Sequence, residues 1–169
     1  MSKIYVDEIL PKDNSTVDGS KLSALPTSGM PTGSVLQVVQ GNTDTVTGTE
    51  SSTFVATTLA ASITPSSTSS KILITYSGTM YHYSDAQGCS DIFRDGTSVT
   101  GETNGVYRSW LDTQRGLFLH AGEYLDSPNT TSSVEYKIYI RKRTGSYEIY
   151  FPDGGDENYP TITLMEIAG

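Results

Sequence analysis

Three carboxylates, Asp91, Glu123 and Asp126, lie near the ends of extended stretches. Two carboxyl groups facing each other across a groove can hydrolyse a glycosidic bond, one as acid and the other as base or nucleophile. Asp126, however, precedes Ser127-Pro128 and is better explained as a turn-capping acceptor. The two histidines, His82 and His120, fall on different predicted strands, with no cysteine or third ligand beside them. His82 shares the alternation of Met80 and reads as a core or rim histidine rather than a zinc ligand. Asp153, Asp156, Glu157 and Asn158 gather oxygen donors of the kind calcium takes. Their spacing is not that of an EF-hand loop, and acidic loops are ordinarily just solvated. No Gly-x-Ser-x-Gly elbow, P-loop, dinucleotide glycine pattern or His-Glu-x-x-His occurs. The chain therefore reads as a non-enzyme that needs no cofactor or metal.

Eleven of the aromatic residues are tyrosines. Tyr81, Tyr83, Tyr107, Tyr139, Tyr150 and Tyr159 fall on predicted outward faces or loops. Each offers rigid contact area with a polar tip, which suits recognition of a sugar or protein. Packing across strands or between subunits is the plainer reading.

The elements that hold these residues are strands. Ser and Thr make up about a quarter of the chain, well above ordinary usage. Thr, Tyr, Val and Ile favour extended structure, whereas Leu, Ala, Glu and Lys are too sparse for many helices. A net charge of −8 argues against a nucleic-acid binder. The one basic cluster, Arg141-Lys142-Arg143, reads as a solvated hairpin end. No apolar run approaches the roughly 20 residues that span a bilayer, and Met1–Asp7 lacks the apolar core of a signal peptide. The single Cys89 reads as a small strand residue in a protein made in a reducing cytosol.

Two regions are expected. Residues 1–32 comprise a short anchor strand, with Ile4, Tyr5, Val6, Ile9 and Leu10, and a linker rich in Pro, Gly and Ser. Residues 33–169 carry strands at even spacing, the pattern of an antiparallel β-sandwich or jelly roll. Val35–Gln40 is apolar on both faces. In Lys71–Tyr83, Ile72, Ile74, Tyr76 and Met80 share one side. Asp95-Gly96 closes a hairpin between Asp91–Arg94 and Thr97–Val99. Residues 102–116 read as a long loop anchored by Trp110, followed by a strand over Leu117–Leu125. Val134, Tyr136, Ile138 and Ile140 point inward, and after Thr144-Gly145 a returning arm with Tyr147, Ile149 and Phe151 inward completes a hairpin. The ending, Ile162–Gly169, carries Ile162 and Leu164 on one side and Met165 and Ile167 on the other, so it reads as a central strand.

Four segments stand in order: Gly33-Ser-Val-Leu-Gln-Val-Val39, Ser62–Leu73 (with Ile-Thr-Pro-Ser-Ser-Thr-Ser-Ser-Lys-Ile between), Tyr124-Leu-Asp-Ser-Pro-Asn-Thr-Thr131 and Ile162-Thr-Leu-Met-Glu-Ile-Ala-Gly169. Together they resemble the C-terminal domain of bacteriophage tail fibre and fibre-like virion proteins of marine and cyanobacterial phages. The opening Ile4–Ile9 resembles the short strand that starts many such chains. The resemblance implies a β-rich homotrimer in the virion, with the N-terminal segment joined to other virion proteins and the sandwich head outward for host attachment. A host surface glycan or protein is the implied receptor. The four segments are framework, so specificity is expected between them, at Tyr81, Tyr83, Tyr107, Arg108 and Trp110. Only about thirty residues precede the head, at most ~110 Å when extended, so a capsid decoration or head fibre is the alternative. A receptor-binding polysaccharide depolymerase using Asp91, Glu123 or Asp126 is a further rival.

Overall fold

A computed structural model describes residues 30–83, 85–110, 115–153 and 159–169. The anchor residues Ile4, Tyr5, Val6, Ile9 and Leu10 and most of the acidic loop lie outside them. Eleven strands follow in order among the described residues: β1 (Val35–Asn42), β2 (Thr47–Thr49), β3 (Val55–Ile63), β4 (Lys71–His82), β5 (Gln87–Arg94), β6 (Thr97–Ser98), β7 (Tyr107–Trp110), β8 (Gly116–Asp126), β9 (Val134–Thr144), β10 (Ile149–Phe151) and β11 (Thr161–Ile167). They form two antiparallel sheets packed face to face, so the chain is an all-β sandwich.

Sheet A is organised by β4, the longest strand. One edge of β4 is taken throughout by β8, from Ile72 opposite Asp126 to His82 opposite Gly116. The other edge is shared in tandem by β11, over Lys71–Ser77, and β10, at Tyr81 and His82. β1 then flanks β11, and β2 flanks β10. Sheet B runs β3–β9–β5, and the far edge of β5 is divided between β7 and β6. β11 is thus a central strand, as its apolar spelling implies.

The period-2 pattern selects the core. Ile72, Ile74, Tyr76 and Met80 of β4 face Ile92 of β5 and Tyr136, Ile138 and Ile140 of β9, joined by Leu59, Ile63, Ile149, Phe151, Ile162 and Leu164. All are essentially inaccessible to solvent. The Asp95-Gly96 turn forms as spelled: φ is 47° at Asp95 and 81° at Gly96, the pair of positive values a tight type I′ hairpin turn requires. Gly41 is needed for a different reason. A Cβ there would come 2.0 Å from the Ala60 carbonyl oxygen, where β1 crosses β3.

Two sequence expectations about the strands fail. Residues 107–110 are a strand, β7, on the edge of β5, and Trp110 is 57 % exposed instead of anchoring a loop. Their mixed polarity hid the strand because an edge strand needs little apolar character. The β9–β10 hairpin is also absent. Both edges of β9 are occupied, by β3 and β5, so the chain leaves sheet B after Thr144 and enters sheet A. Ile149 and Phe151 still reach the core, from the opposite side, while Tyr147 is 51 % exposed.

Candidate functional site

Alternation along β4 sends Tyr81 out of the sandwich, with Tyr83 just beyond the strand end. Antiparallel pairing sets Tyr81 beside Tyr150 of β10, their rings 6.2 Å apart. Tyr81 and Tyr83 meet edge to face, with centroids 5.2 Å apart at 80°, which places a positive ring edge on a negative ring face. Tyr83 in turn contacts Tyr147 at 5.5 Å, and the Arg115 guanidinium lies 5.7 Å from the Tyr83 ring. Leu117, paired with Tyr81 across the sheet, is 59 % exposed. Four tyrosines, a leucine and an arginine thus make one outward patch at one end of sheet A.

Two phenols of this patch, Tyr83 and Tyr150, are shifted toward the protonated form. Hydrogen bonding with Tyr81 raises the pKa of Tyr83. Tyr150 donates to Glu148 Oε2 at 2.6 Å, and that bond is the largest cause pushing its pKa up to about 12. The patch therefore offers ring faces and phenol hydroxyls, flanked by one arginine and one glutamate.

The five residues expected to form a partner surface are divided by the fold. Tyr81 and Tyr83 belong to this patch on sheet A. Arg108 and Trp110 alternate with the buried Ser109 on β7, so they face out of sheet B. Tyr107 sits at the seam, its ring 4.6 Å from the buried His120 ring. The sequence reading missed Tyr147 and Arg115, since Tyr147 was assigned to the core side of a hairpin that does not form.

Neither a protein-family model nor a curated protein matches this chain. Its chemistry must be read from its own residues.

The three acidic candidates do not converge. Glu123 is exposed on the outward face of sheet A. Asp91 is buried beneath the outward face of sheet B, where Ser98 and Thr100 donate to it. Asp126 points inward: it pairs with Arg94 Nη1 at 2.5 Å and accepts from the Tyr136 hydroxyl at 2.6 Å. Its role is to hold β5, β8 and β9 together, not to cap a turn. Burial, followed by the Asp126 contact, raises the Tyr136 phenol well beyond its ordinary range.

Both histidines are buried between the sheets in a chain of hydrogen bonds. His82 Nε2 meets Ser109 Oγ at 3.1 Å, Ser109 Oγ meets His120 Nε2 at 2.8 Å, His120 Nδ1 meets Ser90 Oγ at 2.7 Å, and Ser90 Oγ meets the Tyr76 hydroxyl at 2.8 Å. Phe118 stacks on the His82 ring at 4.5 Å. His82 is a core residue, as its alternation suggested. Among the described residues no group of three or more His, Cys, Asp or Glu is placed to hold a metal ion. None of their helices is long and apolar enough to cross a membrane.

Proposed function

We propose that this chain is a bacteriophage structural protein: a short homotrimeric fibre or spike whose sandwich head projects from the virion and adheres to the host. Its action is contact and assembly, without bond chemistry. The observation that carries the adhesive part is the outward tyrosine patch of Tyr81, Tyr83, Tyr147 and Tyr150, which presents rigid rings with polar tips on one face, Tyr83 and Tyr147 being the most exposed. The buried Ser90, Ser109, His120, Asp91 and Asp126, by contrast, are engaged in internal hydrogen bonds.

The assembly part rests on the rest of that face. Val38, Met165, Leu73 and Leu125 fall in one row across β1, β11, β4 and β8. Val38 is 58 % exposed and Leu125 49 %. Such a row, with the four-segment resemblance to fibre proteins, supports burial between subunits.

Two measurements test the reading. Light scattering of the purified chain is expected to give three times 18.2 kDa; a clean monomer at micromolar concentration sinks the trimer. Labelled protein is expected to bind host cells, and Tyr83→Ala with Tyr147→Ala to abolish that binding while leaving the melting temperature unchanged. Adhesion that survives the double substitution removes the patch from the mechanism.

A further inference from the structure

We propose that the outward face of sheet B carries a second binding site, a shallow cleft that takes a neutral saccharide unit. The cleft has a volume of about 360 Å³, within the range of small-ligand sites. Its floor comes from the two inner strands of the sheet, Asp91 on β5 and Arg141 on β9. Segments 52–54 and 98–103 supply its walls.

The floor positions the walls. Arg141 Nη1 donates to the Ser52 carbonyl at 3.0 Å, and Nη2 donates to the Thr103 carbonyl. One guanidinium therefore ties both walls to one strand, contrary to the solvated role its basic neighbours suggested. Asp91 secures the second wall by accepting from Ser98 Oγ at 2.7 Å and Thr100 Oγ1 at 2.9 Å, as well as from the Ile92 amide. Asp91 is wholly buried, and burial raises its pKa against those hydrogen bonds. A buried carboxylate is costly in a sheet that could carry a threonine there. What it secures is the shape of the cleft.

The lining selects the ligand class. Ser52, Thr53 and Thr103 place exposed hydroxyls around the rim, and Glu102 adds an exposed carboxylate acceptor. Phe54 gives one wall an apolar surface, braced by the Arg141 guanidinium at 5.2 Å and by Phe93 at 5.6 Å. An apolar wall beside hydroxyls and a carboxylate matches a sugar ring, with its C–H face and its edge of hydroxyl groups. Two carboxylates against one guanidinium, both of whose terminal nitrogens already donate to the walls, on a chain of net charge −8, disfavour an anionic ligand. The cleft and the tyrosine patch lie on opposite faces of the sandwich, so this assignment stands apart from the virion reading.

The test uses the full chain labelled with ¹⁵N and titrated with maltotriose, N,N′-diacetylchitobiose and N-acetyllactosamine. Sialyllactose and spermidine serve as the anionic and cationic probes. At least one neutral sugar is expected to shift the Phe54, Gly101, Glu102 and Thr103 amides, with a Kd on the order of millimolar. Thr103→Trp fills the cleft but keeps the backbone carbonyl that Arg141 binds. It is expected to abolish the shifts with the remaining spectrum intact, and Glu102→Gln to weaken binding about tenfold. Tyr83→Ala is expected to change nothing. The proposal is overturned if no neutral sugar shifts these amides, if Thr103→Trp still binds, or if sialyllactose or spermidine binds as well as the sugars.

Discussion

His82 and His120 share a single hydroxyl: Ser109 Oγ lies 3.1 Å from His82 Nε2 and 2.8 Å from His120 Nε2. A serine hydroxyl has one proton, so it donates to one ring and accepts from the other. The tautomers of the two rings are therefore coupled, and the coupling continues through Ser90 to the Tyr76 hydroxyl. Neutral rings satisfy the chain. Among the described residues, a charged ring would find only hydroxyls and another imidazole along this chain.

Acid should therefore destabilise the fold before the carboxylates titrate. Burial, with His82 as second cause, lowers the pKa of His120 to about 3, and burial also lowers that of His82. Below the unfolded value near 6.5 the unfolded chain binds protons that the native chain refuses. Stability is thus full above pH 6.5 and falls as pH drops toward the folded values, by up to about 1.4 kcal/mol per pH unit for each histidine. Urea midpoints measured between pH 7 and 5 should decline, and His120→Gln should flatten the decline. A flat profile in the native chain refutes the coupling.

Removing the shared hydroxyl should leave two buried ring nitrogens without a partner. Ser109→Ala is expected to cost about 1–3 kcal/mol, read from chemical denaturation. It should also shift the imidazole ¹⁵N signals of both histidines together, whereas an effect on one ring alone would contradict the shared bond.

Arg94→Ala should strand the Asp126 carboxylate against Tyr136. Asp126 is 9 % exposed and accepts from both, so a loss of about 1.5–3 kcal/mol is expected from the charged hydrogen bond. Tyr136→Phe in the same background should add less than its effect alone, because the pair shares one acceptor. Additive losses in a double-mutant cycle would show that the three do not act as a unit.

Gly41→Ala should be poorly tolerated although Gly41 is only half-buried. Its new Cβ meets a backbone oxygen, which cannot rotate away as a side chain can. Destabilisation of about 1–3 kcal/mol is expected. Gly96→Ala has open space around it, so its cost should be only the strain of φ at 81°. Equal losses at the two sites would argue against the clash.

Much of the fold is legible locally. The alternation in β4 and β9, the Asp95-Gly96 turn and the inward Ile162 and Leu164 of β11 each follow from what their own residues require. The candidate sites were less legible. Tyr81 and Tyr83 are neighbours along one strand end, but Tyr147 joins them only because the chain changes sheets after Thr144. Nothing in the local spelling of residues 144–151 distinguishes a hairpin from a crossover, since both bury Ile149 and Phe151.

By itself, then, the sequence determined the all-β class, the inward faces and the tight turn, because side-chain period and positive φ are properties of short segments. Only the tertiary structure decided which edges β9 and β4 present, that β7 is a strand, and that Asp126 and Arg141 tie elements together. Those outcomes depend on competition among distant strands for the same backbone edges. They depend equally on charged groups finding partners up to 89 residues away, as Arg141 finds Ser52, and no local pattern records either.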